Sequence, residues 1–120
     1  MTRKEEERTQ LKQQYFNELS SLLDNVNEPS KKAVITNLLD KIAYLTVMLN
    51  ELQADTLKKG VVCKYNNGGG QSGDRISPSV QVYVQYSKTL NAALKTLLSY
   101  IPEDSTDAKD RLTSFFESHK

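Results

Sequence analysis

Apolar residues recur at intervals of three and four along most of the chain, which is the spacing of amphipathic helices. The pattern predicts four helices, over residues 1–26, 28–59, 78–101 and 104–118. The first of them opens with Thr2 and Glu5, a pair typical of a capping box, and continues through Leu11, Tyr15 and Leu19. Its first turns are polar on every side, so we expect them to fray or to project into solvent.

The second and third segments carry the longest patterns and predict the centre of the fold. Pro29 suits the first turn of the second helix, and Lys58-Lys59-Gly60 suits its end. A helix between these points is a rod roughly 46 Å long, which must lie against another long helix. The residues predicted to form the seam between the two rods are Ile35, Leu38, Ile42, Leu45, Leu49, Leu52, Leu90, Leu94 and Leu97. We therefore predict an all-α fold, a long antiparallel helical hairpin with flanking N- and C-terminal helices.

The start of the third segment also fits a β-strand, because Val80, Val82 and Val84 alternate with polar or aromatic residues. The spacing of seven residues continues further than the alternation, as far as Pro102, and Ser77-Pro78 is a typical helix start. The helix is therefore favoured over residues 80–86.

Residues 60–77, between the long helices, are rich in glycine and asparagine and predict a small β-hairpin or a flexible loop. Gly68 and Gly73 have the separation of a phosphate-binding loop. Asp74-Arg75 stands where that loop needs a lysine and a hydroxyl residue, so nucleotide binding is not indicated.

The composition offers little for catalysis. The chain has one cysteine, Cys63, and one histidine, His119, which we expect to lie at a frayed C-terminus. No serine or cysteine therefore has an evident base, and no set of metal ligands is visible. We expect no catalytic, cofactor or metal site. No apolar run is long enough for a membrane helix, so no membrane contact is expected.

The net charge is only +1, so binding to nucleic acid would need a local basic patch or a patch repeated in an oligomer. Lys4, Arg8 and Lys12 follow one another at four-residue spacing and would lie on one helix face. The DNA-binding candidates are Arg3, Lys4, Arg8, Lys12, Lys31 and Lys32. The interleaved glutamates also fit an ordinary solvated face.

Both long segments have apolar residues beside the seam, among them Leu39 and Ala43 on one and Ala93 and Leu98 on the other. A stripe of this width exceeds what one contact between two helices can bury. It predicts packing with further helices or subunits, and hence a homo-oligomer.

The order of features in residues 38–112 resembles that of a phage terminase small-subunit family. A long helix closes in Lys58-Lys59-Gly60-Val61-Val62, an Asn/Gly loop follows, and Arg75-Ile76-Ser77-Pro78 opens a helix rich in Val, Tyr, Ala and Leu. Pro102-Glu103-Asp104-Ser105 stands where the family has a Ser-Ser-Arg ending.

The resemblance implies a non-catalytic, oligomeric subunit for viral genome packaging in the cytoplasm of the bacterial host. Its partners would be double-stranded viral DNA and the large terminase subunit, which it would recruit or regulate. The alternative that the near-neutral charge favours is a helical protein-only adaptor or regulator without DNA binding.

Overall fold

The chain is represented by a computed structural model that describes residues 2–68 and 71–119. The elements in order are α1 (Arg3–Leu19), a short 3-10 helix (Ser20–Leu23), α2 (Pro29–Lys59), β1 (Val62–Gly68), β2 (Gln71–Ile76), α3 (Pro78–Ser99) and α4 (Thr106–Ser118). The prediction of a mostly helical fold is confirmed, with the addition of a two-stranded antiparallel sheet.

The first helix begins as its sequence predicts and ends earlier. The Thr2 hydroxyl accepts a hydrogen bond from the Glu5 N–H at 3.2 Å, and the Glu5 side chain bonds back to the Thr2 N–H, which completes the capping box. The predicted helix extended to residue 26, whereas α1 stops at Leu19 and continues as 3-10 helix. The hydroxyl of Ser20 bonds the carbonyl of Asn17, and such local bonds compete with the regular helical pattern.

The long helix α2 has the predicted signals at both ends. Pro29 stands in its first turn, and Lys58 and Lys59 stand in its last. Gly60 follows with φ +82° and ψ −179°, a conformation that essentially only glycine adopts. Gly60 thereby lets the chain leave α2 and enter the sheet.

The third helix settles the choice between helix and strand, since residues 80–86 lie in α3. It ends at Ser99, two residues before the predicted end, because a residue that precedes a proline such as Pro102 avoids the helical region. The fourth helix begins at Thr106 instead of residue 104, with Ser105 in the capping position.

All four helices contribute to one core. Its buried members are Tyr15 and Leu19 from α1, Ile35, Leu39, Ile42, Ala43 and Val47 from α2, Leu97 from α3, and Leu112 and Phe115 from α4. Leu22 and Val26, which follow α1, also pack against it. The helix α2 supplies half of these residues and is therefore the central element.

Polar contacts join α2 and α3 outside the core. The Ser79 hydroxyl, at the start of α3, donates to the Asp55 carboxylate near the end of α2 at 2.8 Å. Further along, the hydroxyls of Tyr44 and Tyr86 lie 3.4 Å apart. At the other end Leu97 of α3 joins the same core cluster as Ile35 of α2. The contacts thus progress in opposite directions along the two helices.

The sheet is an antiparallel ribbon in which Val62 pairs with Ile76, Cys63 with Arg75 and Lys64 with Asp74. The register shifts between Asn66 and Gly68. Of the two possibilities predicted for residues 60–77, the small β-hairpin is therefore the one observed. The predicted flexibility of the tip concerns Gly69 and Gly70, which lie outside the described residues.

The molecule is elongated, with principal extents of 63 × 32 × 26 Å and a radius of gyration of 18.1 Å. A compact domain of this length would have a radius of gyration of about 14 Å. The elongated shape leaves much of each helix accessible to a partner.

Candidate functional site

The basic stripe predicted on α1 faces acidic residues of α2. The Arg8 guanidinium donates to both carboxylate oxygens of Glu51, with the Nε–Oε2 distance at 2.8 Å. The Lys12 ammonium lies 3.2 Å from the Asp40 carboxylate. These pairs fasten α1 to α2, and they neutralise two of the charges that the stripe would offer to DNA.

The pairing shifts the titration of both partners. The hydrogen bond from Arg8 is the largest cause that holds the pKa of Glu51 below its usual range, and partial burial opposes it. The same contact raises the pKa of Arg8 further above its already high ordinary value. Both groups are therefore charged at neutral pH, and the pair is an ion pair.

The remaining DNA-binding candidates lie at the first turns of α1 and α2. Arg3 is highly exposed and pairs with Glu7 one turn along the same helix. Lys31 and Lys32 stand at the start of α2, and Lys32 lies eight residues before Asp40, roughly 12 Å along the helix. Neither lysine is ion-paired with another residue that the structure describes.

The predicted seam residues are buried to different degrees. Ile35, Ile42, Leu45, Leu49 and Leu97 are buried, whereas Leu38, Leu52, Leu90 and Leu94 are only half-buried. On α3, Leu97 is the one buried residue within the helix. The apolar face of α3 is therefore incompletely covered by the rest of the chain.

An open groove explains this incomplete cover. It lies between α2, α3 and α4 and has a volume of about 970 Å³. Most of its surface is apolar and comes from Leu49, Leu90, Leu94, Leu98, Leu112 and Phe116, and the charged Lys109 and Glu117 also line it. Asn50, Gln53 and Asn91 supply polar groups along it. A concave apolar surface of this kind is suited to receive a protein partner.

The accessible surface of the isolated chain is larger than expected for a compact domain. It amounts to 8440 Å² for a chain of 13.6 kDa. A compact monomer of that mass exposes about 6,600 Å², so this chain has an excess of roughly 1,800 Å².

His119 has a structural role that the sequence analysis did not foresee. We expected this residue at a frayed end, but its ring lies 4.2 Å from that of Tyr15, and its Nε2 is 2.6 Å from a carboxylate oxygen of Glu18. Its carbonyl also accepts a hydrogen bond from the Asn50 side chain. The spacing from Phe115 to His119 is one helical turn, and this spacing was the available signal that His119 continues the buried face of α4.

The ribbon and the end of α2 form a second accessible surface. Large apolar side chains are exposed there, namely Leu57 at 81%, Val61 at 59%, Val62 at 52% and Ile76 at 57%. The exposed cations Lys58, Lys64 and Arg75 lie among them. None of these three cations is ion-paired with another described residue.

Within residues 2–68 and 71–119, no three side chains of His, Cys, Asp or Glu are grouped so that they could hold a metal ion. In the same part of the chain, no helix combines the length and the apolar character needed to cross a membrane.

Comparison with models of known protein families, with curated proteins and with solved structures finds no match to this chain.

Proposed function

We propose that this protein is the non-catalytic small subunit of a phage terminase, working as a homo-oligomer in the cytoplasm of the bacterial host. In this role it binds double-stranded viral DNA and recruits or regulates the large terminase subunit. The antiparallel hairpin of α2 and α3 is the scaffold on which the subunits assemble.

The observation that carries the proposal is the open apolar groove beside α3. Leu90 and Leu94 are half-buried in the isolated chain, although they continue the spacing of the buried Leu97. Neighbouring subunits that pack on this groove would complete the burial, and apolar burial contributes about 25 cal/mol for each Å² removed from water. The order of elements supports the terminase role, since α2 closes in Gly60-Val61-Val62 and Pro78 opens α3 after a small hairpin.

A second candidate is a protein-only adaptor without DNA binding. The pairing of Arg8 with Glu51 and of Lys12 with Asp40 favours it, because these cations are already matched by carboxylates of the same chain. An adaptor would use the groove for protein partners and would need no free basic surface.

Two measurements separate these candidates. Light scattering coupled to size exclusion gives the molar mass, and a monomer at tens of micromolar would contradict assembly in both cases. Fluorescence anisotropy with duplex DNA over a series of salt concentrations then tests the terminase role. We expect log Kd to rise linearly with log salt, because phosphate contacts release counterions. An intact oligomer without salt-dependent affinity for DNA would support the adaptor.

A further inference from the structure

One segment of this chain has a marked excess of positive charge. Residues 57–76 contain Lys58, Lys59, Lys64 and Arg75 but only one carboxylate, Asp74, so the segment has a net charge of +3. The whole chain has a net charge of +1, so the other 100 residues have a net charge of −2. A polyanion would therefore be attracted to this segment, and residues 77–101 add Lys88 and Lys95 without a carboxylate.

These cations differ from those of α1 in their availability. Arg8 and Lys12 are engaged with α2, whereas Lys58, Lys64 and Arg75 are exposed and have no carboxylate partner among the described residues. Lys59 pairs with Asp55 on the surface, where such pairs exchange readily with water. The segment can thus bind an anion without first breaking a contact between helices.

The shape of the segment also suits a nucleic acid. The strands β1 and β2 form a two-stranded antiparallel ribbon about 20 Å long at 3.3 Å for each residue. The major groove of duplex DNA is about 12 Å wide and admits a ribbon of two strands. Arg75 pairs with Cys63 and Lys64 with Asp74 in successive register positions, so each strand carries one cation and the two cations lie on opposite faces of the ribbon.

We propose that this basic ribbon, formed by β1, β2 and the last turn of α2, is the surface that contacts the phosphate backbone of duplex DNA. The inference rests on the proposed DNA-binding function and assigns it to these residues in place of the α1 stripe. One ribbon offers few contacts, but an oligomer presents one ribbon for each subunit to the same duplex. Linked weak contacts of this kind raise the overall affinity by orders of magnitude.

The test compares two charge reversals of equal size in the full-length chain. Lys64→Glu with Arg75→Glu reverses the ribbon, and Lys88→Glu with Lys95→Glu reverses two exposed lysines of α3 as the control. Binding to a fluorescent duplex is measured by anisotropy from low to moderate salt, after light scattering has shown that each oligomer is intact. We expect the ribbon variant to lose roughly tenfold or more in affinity and the control to lose much less. The slope of log Kd against log salt concentration should become shallower by about 0.9 for each phosphate contact removed.

Each other outcome has a definite meaning. Equal affinity and slope for the ribbon variant and the control would overturn the inference while the DNA-binding function stands. A wild-type oligomer that does not bind DNA would instead refute the proposed function itself. Loss of assembly in the ribbon variant would identify the ribbon as a protein interface, to which its exposed Val62 and Ile76 would contribute, and would also overturn the inference. If the reversal prevents folding, Lys64→Gln with Arg75→Gln is tested in the same way.

Discussion

Arg8 of α1 donates two hydrogen bonds to the carboxylate of Glu51, which lies 43 residues further along the chain in α2. A guanidinium and a carboxylate held in this two-point geometry orient one helix against the other. The first helix is polar over its opening turns, so this pair and the contact between Lys12 and Asp40 fix a part of α1 that has little apolar surface to bury.

Arg8→Glu should therefore loosen the first half of α1, because two carboxylates would then face each other. Both side chains are about half exposed, so we expect a small drop in melting temperature together with faster hydrogen exchange over the opening turns of α1. The exchanged pair, Arg8→Glu with Glu51→Arg, should restore most of the protection. If the single variant exchanges like the wild type, the pair does not hold α1.

A dependence on pH follows from the lowered pKa values of Glu51 and Asp55. The main cause for Glu51 is the hydrogen bond from Arg8, and for Asp55 it is the hydrogen bond from Ser79, followed by that from Lys59. A carboxyl whose pKa is lower in the folded state stabilises the fold at neutral pH, and this contribution disappears as the pH falls through the folded pKa.

We therefore expect the melting temperature to decline as the pH falls below about 4, the usual range of carboxyl groups. Glu51→Gln with Asp55→Asn should lower the melting temperature at pH 7 and flatten its decline in acid. Glu103→Gln, at an exposed position, is the control and should follow the wild-type curve. A double variant with the wild-type decline would show that other carboxylates govern acid stability.

The sequence pattern predicted the helices well because their periodicity is local. The capping box at Thr2, the entry at Pro29 and the choice of helix over residues 80–86 depend on neighbours within a few turns. The end of α1 at Leu19 was not predicted, because Leu22 and Val26 keep the helical spacing although the backbone between them has already changed.

The candidate site was less accessible to sequence reasoning, for a physical reason. Four-residue spacing correctly places Lys4, Arg8 and Lys12 on one face, but it does not say what this face meets after folding. Glu51 and Asp40 are distant in sequence, and only the packing of α1 on α2 brings them to Arg8 and Lys12. The same holds for His119, whose partners Tyr15 and Glu18 lie about a hundred residues earlier.

His119 should contribute measurably to the attachment of α4. His119→Ala removes the ring that lies against Tyr15 and the bond to Glu18, and the imidazole is only 16% exposed. Aromatic pairs and hydrogen bonds contribute about 1 kcal/mol each, so we expect a loss of about 1–2 kcal/mol in the free energy of unfolding.

Urea denaturation measures this loss of stability. Two further variants separate the contribution of the aromatic contact from that of the bond to Glu18. His119→Phe retains the aromatic ring and should recover part of the stability, whereas Glu18→Gln tests the bond alone. An alanine variant as stable as the wild type would mean that His119 does not hold α4 in solution.

Gly60 should be difficult to replace because of its backbone conformation. A methyl group at this position would meet no atom within 4 Å, so a cost must come from the dihedral angles and not from a clash. We expect Gly60→Ala to lower the free energy of unfolding by about 1–3 kcal/mol. Gly73→Ala, within the strand β2, is the control, measured by the same urea denaturation. Equal stability of the Gly60 variant and the wild type would show that the chain leaves α2 in another way.

The last prediction concerns the groove as an assembly surface, and α3 offers a matched pair of positions for it. Leu98 and Val84 are both 46% exposed on the same helix, but only Leu98 lines the groove. Each can be changed to aspartate with the same change in charge and with a limited effect on the fold of the isolated chain, because neither side chain is buried.

A carboxylate in an apolar interface without a partner costs several kcal/mol. If subunits pack on the groove, Leu98→Asp should reduce the molar mass in light scattering while the circular dichroism spectrum remains helical, and Val84→Asp should retain the wild-type mass. The opposite ranking would place the interface near the start of α3 and outside the groove, and unchanged mass in both variants would leave the groove without a role in assembly.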